Sequence, residues 1–223
     1  FGPDDTLRVN VTPGRIIDAV EAGGAWTVTA HASAPFPSLT FDNGSTQTET
    51  LVFEIANADA TALLSTRLEP LTTTARRDPR CDDLTPPTSS LLAPLTNLAN
   101  APTRIEGVLD VPRCSTVTVS AILPPSRPEY RLAVVGNAAR RLDRLEAAIA
   151  RAEAADADAL HVLGGVGSGD REQPFAATAA LLEAAPFPVS FSIAGSDAGQ
   201  GGAAFQDRFG QTDYAWRVGD VAM

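Results

Sequence analysis

The sequence predicts a β-sandwich followed by a smaller α/β region, and three observations carry that prediction. Up to residue 123 the chain is a series of short segments rich in Val, Ile and Thr, several with strict alternation of apolar and polar residues. Three prolines then fall within Pro124-Pro125-Ser126-Arg127-Pro128, which neither a central strand nor a helix accommodates. Beyond them the apolar residues gather into short runs separated by stretches of helical spacing.

Within the first part, Leu7–Thr12, Trp26–His31, Glu49–Ile55, Thr103–Val111 and Ser115–Leu123 read as strands. Thr116-Val117-Thr118-Val119-Ser120 has the cleanest period of two, the pattern of a strand buried on one face. Asp42-Asn43-Gly44-Ser45 is a turn signal. Strands separated by turns in this way predict an antiparallel sandwich of immunoglobulin/fibronectin-like type over residues 1–125. The Pro-, Asn- and Leu-rich stretch Arg76–Pro102 lacks periodicity and reads as a long excursion. Cys81 and Cys114 are the only cysteines, and no C-x-x-C occurs. They are expected to form one disulfide that ties the excursion down, as in chains exported to an oxidising compartment.

Residues 126–130 read as the linker, and 131–223 as the α/β domain. Tyr130–Val135, Ala159–Leu163 and Val189–Ile193 are strand candidates. Ala138–Ala155 is a helix candidate with Leu142, Leu145, Ile149 and Ala152 on one face. Pro174–Ala185 is a second, with proline at its start, where the missing N–H does no harm. A β-α-β-α-β series implies a parallel sheet with right-handed crossovers, whose chemistry sits on the loops leaving the C-terminal strand ends.

Composition narrows the partner classes. A net charge of −10 and a pI of about 4.6 argue against nucleic acid, and no apolar run is long enough to span a membrane. All 17 basic residues are Arg, which together with abundant Ala reads as a high-GC, bacterial coding bias. The chain begins at Phe1, so a secreted, periplasmic or extracellular protein that has lost its signal peptide is expected.

The three strand-end loops read Val135-Gly136-Asn137-Ala138, Leu163-Gly164-Gly165-Val166-Gly167-Ser168-Gly169-Asp170 and Ala194-Gly195-Ser196-Asp197-Ala198-Gly199. Their placement, with the later run from Phe205 through Phe209-Gly210 to Tyr214, resembles the first half of a calcineurin-like metallophosphoesterase domain. In that family the loops read D-x-H, G-D and G-N-H-[DE], and their side chains hold two divalent metals that activate water for attack on phosphorus. Mapped onto this chain, Gly136 stands at the first Asp and Ala138 at the His. Gly165 stands at the second loop's Asp, while Ser196, Asp197 and Ala198 replace Asn, His and the acidic residue of the third. The resemblance thus implies a phosphoesterase-like scaffold with its metal ligands absent and no cofactor. It also implies a domain left unfinished at Met223, which a protein partner or second chain, in a possible oligomer, would complete.

Other chemistry is weaker. Asp170 and Asp197 are the remaining candidates for a metal such as Ca²⁺, against a plainer reading as solvated loop acids. The glycine-rich run 165–169 lacks the spacing of a dinucleotide fingerprint and any Walker Lys. His161, mid-strand, reads as a satisfied core imidazole rather than a base, and His31 as packing or surface. No G-x-S-x-G elbow accompanies Ser168 or Ser196. Asn43-Gly44-Ser45 and Asn10-Val11-Thr12 match glycosylation sequons by chance. The favoured function is a non-catalytic binding or assembly protein. The alternatives are an active metal-dependent phosphoesterase completed by a second polypeptide, and a structural subunit of an extracellular assembly.

Overall fold

A computed structural model describes residues 7–72, 79–83, 85, 87–136, 141–165, 172–195, 197, 202–210, 215–218 and 221–222. The chain is rich in β-structure distributed over several sheets. Its first part contains β1 (Leu7–Thr12), β2 (Gly14–Ala22), β3 (Ala25–Ala32), β4 (Ser38–Asn43), β5 (Glu49–Ala56), β6 (Leu63–Pro70), β7 (Ser90–Leu95), β8 (Arg104–Val111) and β9 (Ser115–Ile122). One sheet has the order β1-β4-β9-β6-β7 and the other β2-β3-β5-β8. Alternate residues of both point into one shared core: Val117 and Val119 from β9, Leu39 and Phe41 from β4, Leu51 and Phe53 from β5, Trp26 and Val28 from β3. Removing each such side chain from water contributes about 1.5–3 kcal/mol, so the period-two pattern is what selects this pairing register.

The structure departs from the sequence reading in several places. β3 and β5 run parallel, with β4 in the opposite sheet between them in sequence, so the first part is not wholly antiparallel. The 76–102 excursion contains β7, an edge strand on β6 that tolerates Pro94 because an edge strand need not donate on its open side. Asn43 is the buried end of β4 as well as a turn former. Its amide donates to the Gln47 and Val111 carbonyls, while its Oδ1 accepts from Ser45 N–H. That burial withdraws the Asn43 sequon from modification in the folded chain. Finally, Leu142 starts a helix but lies exposed, leaving Leu145, Ile149 and Ala152 as its buried stripe.

The disulfide is present. Cys81, in the short 3-10 turn Pro79–Asp83, is bonded to Cys114 with their Cα atoms 5.7 Å apart.

The later part contains β10 (Leu132–Gly136), α1 (Leu142–Ala154), β11 (Ala159–Leu163), α2 (Glu172–Glu183), β12 (Val189–Ser192), α3 (Ala203–Phe209), and the small antiparallel pair β13 (Arg217–Val218) and β14 (Val221–Ala222). Strands β10, β11 and β12 pair in parallel in that order. One face of this sheet, with Leu160, Val162, Val189 and Phe191, shares a second core with Leu145 and Ile149 of α1 and with Phe175 of α2. Phe205 and Phe209 of α3 complete it as part of a tilted and edge-to-face aromatic group. The opposite face is open at Val134 and Leu163, which are 57% and 47% exposed.

Three polar ties and one aromatic group join the two parts. Asn57, at φ 60°, exchanges two hydrogen bonds with the backbone of Val189 and donates to the Ala32 carbonyl. Ser33 Oγ donates to the Phe209 carbonyl. Arg127 donates to Asp59, Thr61 and Asp158, and its guanidinium lies 5.2 Å from the Tyr130 ring centre. Tyr130 and Trp216 pack on Phe36, so the stretch read as a linker is seated on the first core. Among the described residues no helix is long and apolar enough to cross a membrane.

Candidate functional site

The C-terminal ends of β10, β11 and β12 are the first place to look, and Asp197 dominates what is described there. Its side chain is fully buried, and Oδ2 accepts from Gly165 N–H at 2.8 Å and Ala194 N–H at 3.1 Å. Its own N–H donates to the Ala194 carbonyl. One carboxylate therefore stitches the loop after β11 to the loop after β12, as buried anions do when backbone donors replace water. The two loops touch closely. At Gly164, φ 62°, a Cβ would stand 2.2 Å from that of Ala194, so only glycine fits. Gly165, at φ 72°, continues the same left-handed turn.

Gly136 and Gly195 are different, because a Cβ at either would meet open space. Sterics do not require glycine at either position. Ala138, Asp170, Ser196 and Ala198 lie outside the described residues. At the described positions, two divalent cations would find glycines and one carboxylate whose Oδ2 already holds two backbone donors, which does not fit a dinuclear centre. Among the described residues no group of three or more His, Cys, Asp or Glu side chains is placed to hold a metal ion.

His161 lies on the face of the parallel sheet opposite the second core. Its Nδ1 is 2.8 Å from Ser190 Oγ and its Nε2 2.9 Å from Ser192 Oγ, both across the β11–β12 ladder. Burial lowers the imidazole pKa. With both nitrogens held by hydroxyls the ring braces two strands, and no carboxylate among the described residues completes a triad with it.

A second concavity had no signal in the sequence. It lies where α2 and α3 meet the end of the β2–β3 ladder, has a volume of about 410 Å³, and is lined by Arg15, Ile17, His31, Leu182, Phe187 and Arg208 among others. Arg15 and His31 are direct cross-strand partners. Arg15 Nε, His31 Nδ1 and Arg208 Nε are all buried without a hydrogen-bond partner among the described residues. Each orphaned polar atom of this kind costs about 1–3 kcal/mol. Burial, then the neighbouring Arg15, pushes the His31 pKa down to about 4, and burial, then Arg208, lowers that of Arg15. These residues escaped the sequence reading because they are 193 positions apart at the extremes, and no spacing rule links an edge strand to a late helix.

No family model matches the chain, and no curated protein does. Among solved structures the chain is similar to a GH30 endoxylanase from Clostridium papyrosolvens C71, at 13% identity over 48% of this chain and 23% of that one, with a TM-score of 0.29. The chain thus spans less than a quarter of that enzyme's length, and a likeness at this TM-score carries no argument about fold or activity.

Proposed function

We propose that the chain is a non-catalytic binding or assembly protein, built from an immunoglobulin/fibronectin-like sandwich and a calcineurin-like phosphoesterase scaffold without its metal ligands. The observation that carries this reading is the role of Asp197: the one carboxylate among the mapped positions is buried as a clamp between strand-end loops. The Phe205 to Gly210 segment, part of the resemblance, has a packing role that such a scaffold would retain. Phe205 and Phe209 fill the second core, and Gly210, at φ 89°, leaves no room for a Cβ beside Ser33. Fold retained without chemistry is physically ordinary, since function resides in the site and not in the scaffold.

The test is metal analysis of protein incubated with Mn²⁺, alongside hydrolysis of p-nitrophenyl phosphate and bis(p-nitrophenyl) phosphate. Less than a stoichiometric amount of metal and turnover no faster than the blank are expected. Two equivalents of metal with turnover would establish the opposite reading, an active phosphoesterase.

The open sheet face favours assembly in particular. Parallel sheets ordinarily have both faces covered, and here Val134 and Leu163 are exposed while β10 pairs on one side only among the described residues. A second polypeptide laid along β10 would extend the sheet and shelter both side chains. Light scattering on native material tests this: a monomer across the micromolar range, with no co-purifying chain, removes the assembly reading.

A further inference from the structure

The concavity beside β2 and β3 is a different site from the strand-end loops, and its chemistry points to a ligand class. We propose that it binds a small organic oxyanion, a carboxylate or phosphate ester on an apolar body, between the guanidiniums of Arg15 and Arg208. Although the chain carries a net charge of −10, three of its arginines, Arg15, Arg104 and Arg208, line this one cleft. Arg104 is paired with Glu54 at 3.0 Å, whereas Glu183 comes only within 3.8 Å of Arg208. Among the described residues Arg15 forms no ion pair or hydrogen bond through its side chain.

Two like charges are thus held together, with the carboxylates of Glu183 and Asp207 nearby, and burial first and Arg208 second hold Arg15 below its usual pKa. An anion bound between them would give Arg15 a direct partner, and guanidinium forks match the planar geometry of carboxylates and phosphates. Arg15, Arg208 and His31 reach the same cleft from β2, α3 and β3, and among the described residues Arg15 Nε, Arg208 Nε and His31 Nδ1 are buried without a partner. Ile17, Leu182, Ala185 and Phe187 supply apolar wall, which selects a ligand with a hydrophobic body over a bare ion. The volume falls within the ~300–1,000 Å³ typical of small-molecule sites.

This inference does not rest on the phosphoesterase-like reading, and it is tested in buffer stripped of metal by a chelating resin so that no metal-held anion imitates it. Isothermal titration calorimetry with benzoate, phenyl phosphate, inorganic phosphate and neutral benzamide separates the sources. Saturable binding of benzoate or phenyl phosphate is expected, tighter than inorganic phosphate, with none for benzamide. Arg15→Gln and Arg208→Gln should each weaken binding about tenfold or more, equivalent to about 1.4 kcal/mol, while the exposed Arg151→Gln on α1 leaves it unchanged. In the unmodified protein, ¹⁵N shifts of the His31 ring should move with the same saturation curve, a readout independent of whether a variant folds. Absence of saturation by either organic anion up to about 10 mM overturns the proposal. So does equal affinity in both glutamine variants, or a His31 ring unmoved at saturation.

Discussion

The two parts of the chain solve the burial problem differently. In the first, two sheets face each other and both inner faces close on one core, so each strand needs only one apolar face. In the second, three parallel strands are covered by helices on one side, while on the other Val134 and Leu163 are exposed. The first is further stapled by Cys81–Cys114, whereas the second leans on the first through Asn57, Ser33, Arg127 and Trp216. The difference teaches that the later part is held as much by its neighbour as by its own core.

If that is right, the two cores unfold together. Phe53→Ala in the first and Phe205→Ala in the second, both fully buried, should each cost about 3–5 kcal/mol and shift one common urea transition. Two separate transitions, with Phe205→Ala moving only one, would break the comparison. The staple is next in size. Cys81→Ser with Cys114→Ser releases a loop closed across 33 positions and should cost about 3–4 kcal/mol, read as a lower urea midpoint for the whole molecule.

A third prediction concerns pH and the joint itself. The unfolded imidazole of His31 takes up a proton below its ordinary 6.5, which the folded chain refuses until about 4. Its contribution is therefore fully present above pH 6.5 and lost as the pH falls towards 4, by up to about 3 kcal/mol. The charged groups around it are Arg15 and Arg208, with Glu183 on the cleft wall. His31→Gln should flatten the stability profile between pH 6.5 and 4.

Two smaller effects sharpen the picture of the joint. Arg127→Ala strips a cation from Asp59, which is 6% exposed, and from Asp158, and should cost about 2 kcal/mol by chemical denaturation. Asp59 keeps its bonds from Thr61, which is why the loss is not larger. Tyr130→Phe goes the other way. The hydroxyl is buried without a partner, and burial followed by Asp59 raises its pKa. Removing it should leave stability unchanged or raise it by about 1 kcal/mol, with the Phe36 contact intact.

How much of this was legible in the sequence depended on periodicity. β1 and β11 fall where the alternation and the apolar run place them, and β9, with Ser115, Val117, Val119 and Ala121 inward, is nearly as clear. β2 was missed because it is an edge strand with a register shift between Ile16 and Asp18, so its apolar residues do not alternate. β6 hides its period by burying Thr66 between Leu64 and Leu68 while placing Leu63 only half inside. β7 exposes nearly every side chain, leaving nothing for a pattern to record. Of the strand-end site, the positions of Gly164, Gly165 and Asp197 could be read, but not that Asp197 faces inward to bind backbone. The cleft at Arg15, His31 and Arg208 was invisible, since only tertiary packing brings its parts together.

Asn57 has a consequence for growth of any assembly. Its amide occupies the outward N–H and C=O of Val189, so β12 meets a side chain where an incoming strand would begin. Edge-to-edge polymerisation in a line needs two receptive borders on every unit, and among the described residues this sheet has β12 met by Asn57 on one side and β10 unpaired on the other. Of the two borders of this sheet, β10 is therefore the one along which a strand could be added.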